Sequence, residues 1–277
     1  MQGEDGGRTR QTGRGNRIKM KKRSQAIRRM GFIKDQEGIM NRYLRESSQW
    51  LKHLDNTRKF ISDSFAQTDA ETVAVLGSGW LLDVPLDHLL LRFRQIYLVD
   101  IHHPIQIRKR TAGMSQVELI EADLTGGAIE KIWQYSREKS ISSQNVRSIL
   151  EQISLDPPLG HIQADALISV NLLNQLDIIL CDYLLKQKPF QQEELTPFRA
   201  AIQAFHLNWI SKKPACLVTD ILEEVVDRNG VKSSKALLYT HLPKAMRQDR
   251  WWWDFDSQGT YHPGSRTRME VQAIEWI

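Results

Sequence analysis

Cysteine is scarce: the 277 residues hold two, Cys181 and Cys216, each inside an apolar segment and neither in a Cys-x-x-Cys spacing. That argues against a disulfide framework and a cysteine-based zinc site, and reads as buried reduced thiols in a cytoplasmic protein. Long apolar runs are missing too. No stretch of roughly 18 apolar residues exists to cross a membrane as a helix, and no apolar segment follows the basic N-terminal stretch to make a signal peptide. Nothing repeats at a fixed period, so a solenoid is not expected. The length suits one large domain or two small ones with a substantial core.

A dense basic surface is absent from the body of the chain despite a formal charge of +5 and a pI near 9.2. Residues 1–30 carry ten Lys/Arg against Glu4 and Asp5, whereas the remainder is slightly acidic, with 28 basic and 31 acidic groups. The tail is rich in Gly, Arg, Gln and Lys and has few large apolar residues before Ile18, so it is expected to be disordered. It reads first as a solvated extension and second as a nucleic-acid or membrane-surface arm.

What is present is organised around Thr72 to Asp100. A short apolar run, Val73 to Leu76, breaks into Gly77-Ser78-Gly79; a helix-compatible segment, Leu86 to Phe93, leads to a second β-rich run, Ile96 to Val99, ending on Asp100. That is strand, glycine turn, helix, strand, acid. Glycines there let backbone approach a ligand, and free N–H groups would suit a polar or anionic group. An acid 21 residues after Gly79 falls where a neighbouring parallel strand ends, the position that commonly bonds a ribose. Gly-x-Gly by itself reads equally as a tight crossover turn.

Upstream, apolar residues from Ile39 to Phe65 recur at three- and four-residue spacing, which predicts one or two amphipathic helices, with Trp50 as an anchor to the core or a lid contact. Downstream, Val117 to Asp123 predicts a third strand ending on an acid, and residues 127–155 read as amphipathic. Ala164 to Asn171 predicts a fourth strand running without pause into a helix with Leu172, Leu176, Ile179 and Leu180 on its stripe. Thr196-Pro197 predicts a helix start with Thr196 as N-cap, and Ala215 to Asp220 a fifth strand. The alternation then stops. Asn229-Gly230 marks a hairpin, and Arg250 to Phe255 and Arg268 to Ile277 can pair antiparallel. The run Trp251 to Trp253 is expected to pack against helices on both of its faces.

This order resembles the class I S-adenosylmethionine-dependent methyltransferases over roughly Gly38 to Ile277. The resemblance implies an α/β fold, doubly wound, with a mostly parallel seven-stranded sheet, antiparallel C-terminal strands and an N-terminal helical cap. The implied division is a basic tail at 1–30, packed helices at 31–70, and a Rossmann-like domain at 71–277 with a hairpin insertion near 222–241. The implied cofactor is S-adenosylmethionine, met by Gly77, Ser78 and Gly79, by Asp100 at the ribose with Ile101 beside it, by Asp123 and Leu124 beside the adenine, and by Ser169, Val170 and Asn171 at the fourth strand.

Two positions depart from the family pattern: Val75 stands where an acid usually helps hold the methionine amino group, and Leu81 where a third glycine usually stands. Leu82 occupies the glycine position that a dinucleotide dehydrogenase would want. An NAD(P)-binding oxidoreductase and a non-catalytic binding module of the same fold are the alternatives. Methyl transfer is an in-line displacement, so no catalytic triad is expected and no catalytic residue is assigned. Asn171, Asn174, His206 and Asp220 are candidates to face the methyl group, each with a structural role equally open. The favoured acceptor is a small molecule. Nucleic acid would enter only through the tail, and no membrane contact or metal is expected; His102 and His103 are adjacent, and spacing marks no third ligand.

Overall fold

The computed structural model of the chain describes residues 25–137, 148, 163–187 and 190–277. Its strands are β1 (Thr72–Leu76), β2 (Gln95–Asp100), β3 (Val117–Glu121), β4 (Ala166–Val170), β5 (Ala215–Asp227), β6 (Gly230–Ala236), β7 (Arg247–Asp256) and β8 (Arg266–Trp276). The helices are α1 (Phe32–Asp63), α2 (Leu86–Arg92), α3 (Ile105–Thr111), α4 (Ala128–Arg137), α5 (Ile178–Gln187) and α6 (Thr196–Ile210).

The strands form one sheet in the order β3-β2-β1-β4-β5-β8-β7. The first five pair parallel, and β8 runs antiparallel to both β5 and β7 between which it lies. This is the mostly parallel, seven-strand path with antiparallel C-terminal strands that the sequence implied. An eighth strand, β6, pairs only with β5, as the hairpin predicted at Asn229-Gly230.

Burial on both faces explains why the parallel strands read as continuous apolar runs. Along β1, Val73 and Val75 enter one core with Trp50, Leu89, Phe93 and Val218, while Ala74 and Leu76 enter the other with Ile129, Leu180, Phe198 and Ile202. Thus α1, α2 and α3 contribute to the first face, and α4, α5 and α6 to the second. Cys181 and Cys216 are both buried, and burial pushes each thiol up to about 12.

Helix α1 runs 32 residues with one non-helical position, Glu46 (φ −107°, ψ 16°). Its C-terminal half is anchored on β7. Trp50 Nε1 donates to the Phe255 carbonyl at 3.1 Å, the Trp50 and Trp253 rings meet edge-on at 4.7 Å, and His53 stacks on Trp253 at 4.0 Å. The tryptophan run packs on one helical layer rather than two: Trp251 and Trp253 face α1, whereas Trp252 is exposed beneath the Arg268 guanidinium.

Three further expectations are corrected. Residues 25–30 are helical and bury Ala26, Ile27 and Met30, so ordered chain begins before residue 31; the apolar residues at the end of the basic stretch find a core. Residues 1–24, the bulk of the tail, lie outside the described residues, as does most of 138–162 within the predicted 127–155 segment. Thr196 is not an N-cap, because Gln192–Leu195 already form a 3-10 turn closed by a reciprocal Gln191–Glu194 capping box. Nor does β4 run straight into a helix. Asn171 turns the chain at φ 46°, and α5 starts at Ile178.

Candidate functional site

The carboxyl ends of β3, β2, β1 and β4 lie side by side in that order, and a cavity opens above them, the crevice where open α/β sheets usually take their ligands. It encloses about 1090 Å³ including its mouth. Because the strand ends are ordered, so is the lining. Ala122, Leu124 and Thr125 follow β3, Asp100 and Ile101 end β2, Gly77 to Gly79 follow β1, and Val170 and Asn171 end β4. Ile129 of α4 and Ile179 of α5 make the β3 end apolar, and α1 roofs the whole with Gln36, Ile39, Trp50 and His53.

The glycine turn is fastened to β2. Gly77 and Ser78 N–H both donate to the Val99 carbonyl, at 3.0 and 3.2 Å, and Gly79 N–H donates to Asp100 Oδ2 at 2.8 Å. Asp100 Oδ1 accepts the Ile101 N–H at 2.7 Å. Gly77 is required twice over: its φ is +80°, and a Cβ there would stand 2.8 Å from the Val170 carbonyl oxygen. The turn's N–H groups, expected to be free for a ligand, are therefore used within the protein. No helix start lies at the turn either, since α2 begins only at Leu86. The Gly77, Ser78 and Gly79 N–H groups are thus not free for an anion.

The roof is tied to the same acid. Trp80 Nε1 donates to the Gln36 carbonyl at 2.7 Å, and the Gln36 amide reaches His102 O at 3.0 Å and Asp100 Oδ1 at 3.4 Å. Among the described residues the cavity's charge is one-sided: Asp35, Asp83 and Asp100 line it, and no described lysine or arginine does. Burial raises all three carboxyl pKa values.

At the β4 end two hydrogen bonds hold the groups, Trp251 to His53 and Asn171 to Asp83. Trp251 Nε1 is a donor only, so His53 Nδ1 accepts it, at 3.1 Å, and the proton sits on Nε2. Burial drives the His53 pKa down to about 3, which keeps the ring neutral. The Asn171 side chain lies 3.4 Å from His53 Nε2 and 2.6 Å from Asp83 Oδ2.

Of the ten positions proposed from the sequence, Gly77, Ser78, Gly79, Asp100, Ile101, Leu124, Val170 and Asn171 line the cavity, and Asp123 and Ser169 do not. Asp123 turns its carboxylate to the Thr125 N–H at 2.8 Å, capping the turn after β3. Ser169 alternates to the other face of β4, where its hydroxyl meets His206 Nε2 at 2.9 Å. His206, Asn174 and Asp220 are likewise buried outside the cavity lining. Sequence reasoning missed Asp35, Gln36, His53 and Asp83. The three on α1 look like an ordinary polar face, and Asp83 follows the turn with no spacing signal. Among the described residues no group of three or more His, Cys, Asp or Glu could hold a metal; His102 instead pairs with Glu121 at 3.1 Å, and His103 Nε2 meets the Ile120 carbonyl.

Asp220 yields a pH prediction. Its carboxyl is buried on β5 with Asn174 at 3.4 Å as its partner, and burial, with Asp83 and Glu223 nearby, pushes its pKa up to about 7. An unfolded aspartate titrates near pH 4. The neutral carboxyl therefore favours folding fully below about pH 4, and this contribution is lost as pH rises through about 7. Urea-unfolding free energies of the wild type should fall over that window relative to Asp220→Asn, by up to about 4 kcal/mol. Parallel profiles would show that the carboxyl is not protonated in the fold.

No protein-family model matches the chain, and no curated protein does. Among solved structures the chain is similar to the N-methyltransferase NodS from Bradyrhizobium japonicum WM9 in complex with S-adenosyl-L-homocysteine, at 10% identity and a TM-score of 0.36, covering 80% of this chain and 85% of that one. It is similar to the methyltransferase domain of bacterial-CtHen1-CN at 14% identity and a TM-score of 0.31, covering 82% and 99%. It is also similar to DhpI in its S-adenosylhomocysteine complex at 10% identity and a TM-score of 0.32, covering 87% and 94%. Likeness this distant says nothing of activity or acceptor. The fold, an α/β sheet with a parallel core and antiparallel C-terminal strands, rests on the strand order itself. Among the described residues no helix is long and apolar enough to cross a membrane.

Proposed function

We propose that this protein binds S-adenosylmethionine above the β3-β2-β1-β4 edge and transfers its methyl group to a small-molecule acceptor. The observation that carries this reading is the cavity's charge: among the described residues three aspartates and no cationic side chain line it, over a glycine turn whose N–H groups are spent. A pyrophosphate would meet a carboxylate where it needs donors, which disfavours NAD(P). A cationic adenosine derivative meets what it needs. Asp100 stands where it can accept from ribose hydroxyls, and Leu124, Ile129 and Ile179 offer an apolar end for the base. Bound there, S-adenosylmethionine supplies an electrophilic methyl group on sulfur. The chain's part is to hold the acceptor in line with it and keep water out, which the α1 roof, with its Trp50 and Leu54 beside Trp253 of β7, suits.

Calorimetric titration with S-adenosylmethionine and S-adenosylhomocysteine tests the proposal. Micromolar binding is expected, weakened at least about tenfold in Asp100→Ala by loss of hydrogen bonds to a charged acceptor. No binding by the wild type at millimolar ligand would sink it.

A binding module without turnover is the second reading, and two observations favour it: Val75 is wholly enclosed in β1, leaving no acid at that position, and Leu81 occupies a glycine position at φ 55°. It predicts cofactor binding with no consumption of S-adenosylmethionine over a panel of amine, hydroxyl and thiol acceptors. An RNA-binding role for residues 1–24 is a separate proposal, which predicts a salt-sensitive RNA affinity that disappears when those residues are deleted.

A further inference from the structure

The crossover from β5 to β7 leaves a second concavity, which shares no lining residue with the cavity above the strand ends. Both strands lie antiparallel to β8, so they run the same way, and the connection between such strands is usually a helix that covers the sheet face. Here it is the β6 hairpin followed by residues 237–246, which are irregular. That segment is pinned near its two ends. Leu237 N–H donates to the Ile221 carbonyl at 3.0 Å, Tyr239 N–H to Gln203 Oε1 at 2.8 Å, and Met246 N–H to the Glu275 carbonyl at 2.8 Å. Between the pins it leaves a groove over the sheet that encloses about 1070 Å³ including its mouth.

The pleat decides what the floor presents. Trp251 and Trp253 turn to α1, so Gln248 and Arg250 line the groove on the opposite face, with Gln272 of β8 in register with Arg250. Arg250 Nη2 donates to Gln272 Oε1 at 2.9 Å. A guanidinium only donates, so the amide oxygen faces it and Nε2 is the other end. Gln272 is 7% exposed, and no hydrogen bond among the described residues engages that Nε2. The irregular wall adds Lys244 and His241 to the lining, and the N–H groups of Thr240, His241, Leu242, Lys244 and Ala245 have no partner among the described residues. No described aspartate or glutamate lines the groove; Glu270 meets Arg250 Nη1 from outside it at 3.6 Å. Ile221, Leu238, Leu242 and Met246 make the rest of the wall apolar. Cations and spare donors without acids, beside apolar side chains, are the complement of an amphipathic anion. We infer that this groove is a second binding site, for a small organic anion with an apolar body. The Arg250–Gln272 pair and Lys244 hold the acidic group, and Leu238, Leu242 and Met246 take the body.

The test compares two fluorescent probes on the full chain: 8-anilinonaphthalene-1-sulfonate, and N-phenyl-1-naphthylamine, the same ring system without the sulfonate. Wild type should bind the sulfonate at least about tenfold more tightly than the neutral amine. Arg250→Ala and Lys244→Ala should each weaken the sulfonate roughly five- to tenfold and leave the amine unchanged. Arg250→Lys, which keeps the charge, should retain more of the affinity than Arg250→Ala, and added salt should weaken the sulfonate alone. Arg250 and Lys244 are both exposed, and unchanged thermal unfolding shows that the variants are folded. Equal binding of the two probes, or sulfonate binding that neither alanine substitution alters, would put the anion elsewhere and overturn the assignment. So would a wild type that binds neither probe. Binding to phosphatidylglycerol vesicles without binding of the sulfonate would place a lipid surface on the groove and overturn it equally.

Discussion

Arg199→Ala should lower the unfolding free energy by about 3–5 kcal/mol, because it strands a buried carboxylate. Arg199 of α6 and Asp177, just before α5, are 5% and 0% exposed and form a direct ion pair. Asp177 also accepts Gln203 Nε2 at 2.9 Å; that amide nitrogen reaches the Leu237 carbonyl at 3.0 Å, and Gln203 Oε1 accepts the Tyr239 N–H at 2.8 Å. One network thus ties α5, α6 and the segment after β6. Deleting one charge leaves the other with no solvent to turn to, whereas deleting both leaves none. Urea denaturation should therefore show the double substitution Asp177→Leu with Arg199→Met recovering most of what Arg199→Ala loses. Equal losses in the two variants would mean that shape, not charge, accounts for the effect.

Gly77→Ala should cost about 2–5 kcal/mol and abolish ligand binding. An L-residue at φ +80° carries about 1–2 kcal/mol of strain. The added methyl would also stand 2.8 Å from the Val170 carbonyl oxygen and 2.9 Å from Leu172 Cβ, so β1 and β4 must part where the cavity wall is built, at a further cost of about 1–3 kcal/mol. Gly79 makes the contrast. Its φ is +42°, but the nearest atoms to an added Cβ are 3.8 Å away, so Gly79→Ala should be the milder change. Thermal unfolding and calorimetry on both variants check the order. A Gly79→Ala that is the more damaged of the two would show that conformation outweighs space at this turn.

The parts of this molecule that were legible in the sequence are those set by local rules. The runs at β1 and β4 are buried on both faces and so are largely apolar; Asn229-Gly230 marks its hairpin by turn chemistry; and Asp100 follows from its place at a strand end. What escaped depends on direction rather than on position. Ser169 and Val170 are neighbours on β4, yet the pleat sends one hydroxyl to His206 and leaves the other residue on the cavity. Asp123 stands at the right strand end, but its carboxylate satisfies its own turn before any ligand arrives. The turn's N–H groups looked available, since nothing in Gly77-Ser78-Gly79 reveals that Val99 and Asp100 will claim them. Nor could spacing show that α1 would lie across the strand ends and bring Gln36 and His53 to partners 64 and 118 residues further on.

The placement of β8 has a consequence for how the chain comes into being. A nascent polypeptide emerges in sequence order, and β7 is made before the strand that must separate it from β5. During that interval β5 offers a bare row of N–H and C=O groups, and β7 lacks its one strand neighbour, β8, although its Trp251 and Trp253 can already find α1. Direct pairing of β5 with β7, or of β5 with the same strand of another nascent chain, competes for that bare row. Correct assembly waits on one late insertion, so the hazard in biosynthesis of this protein is concentrated in the time between translation of Asp256 and release of Trp276.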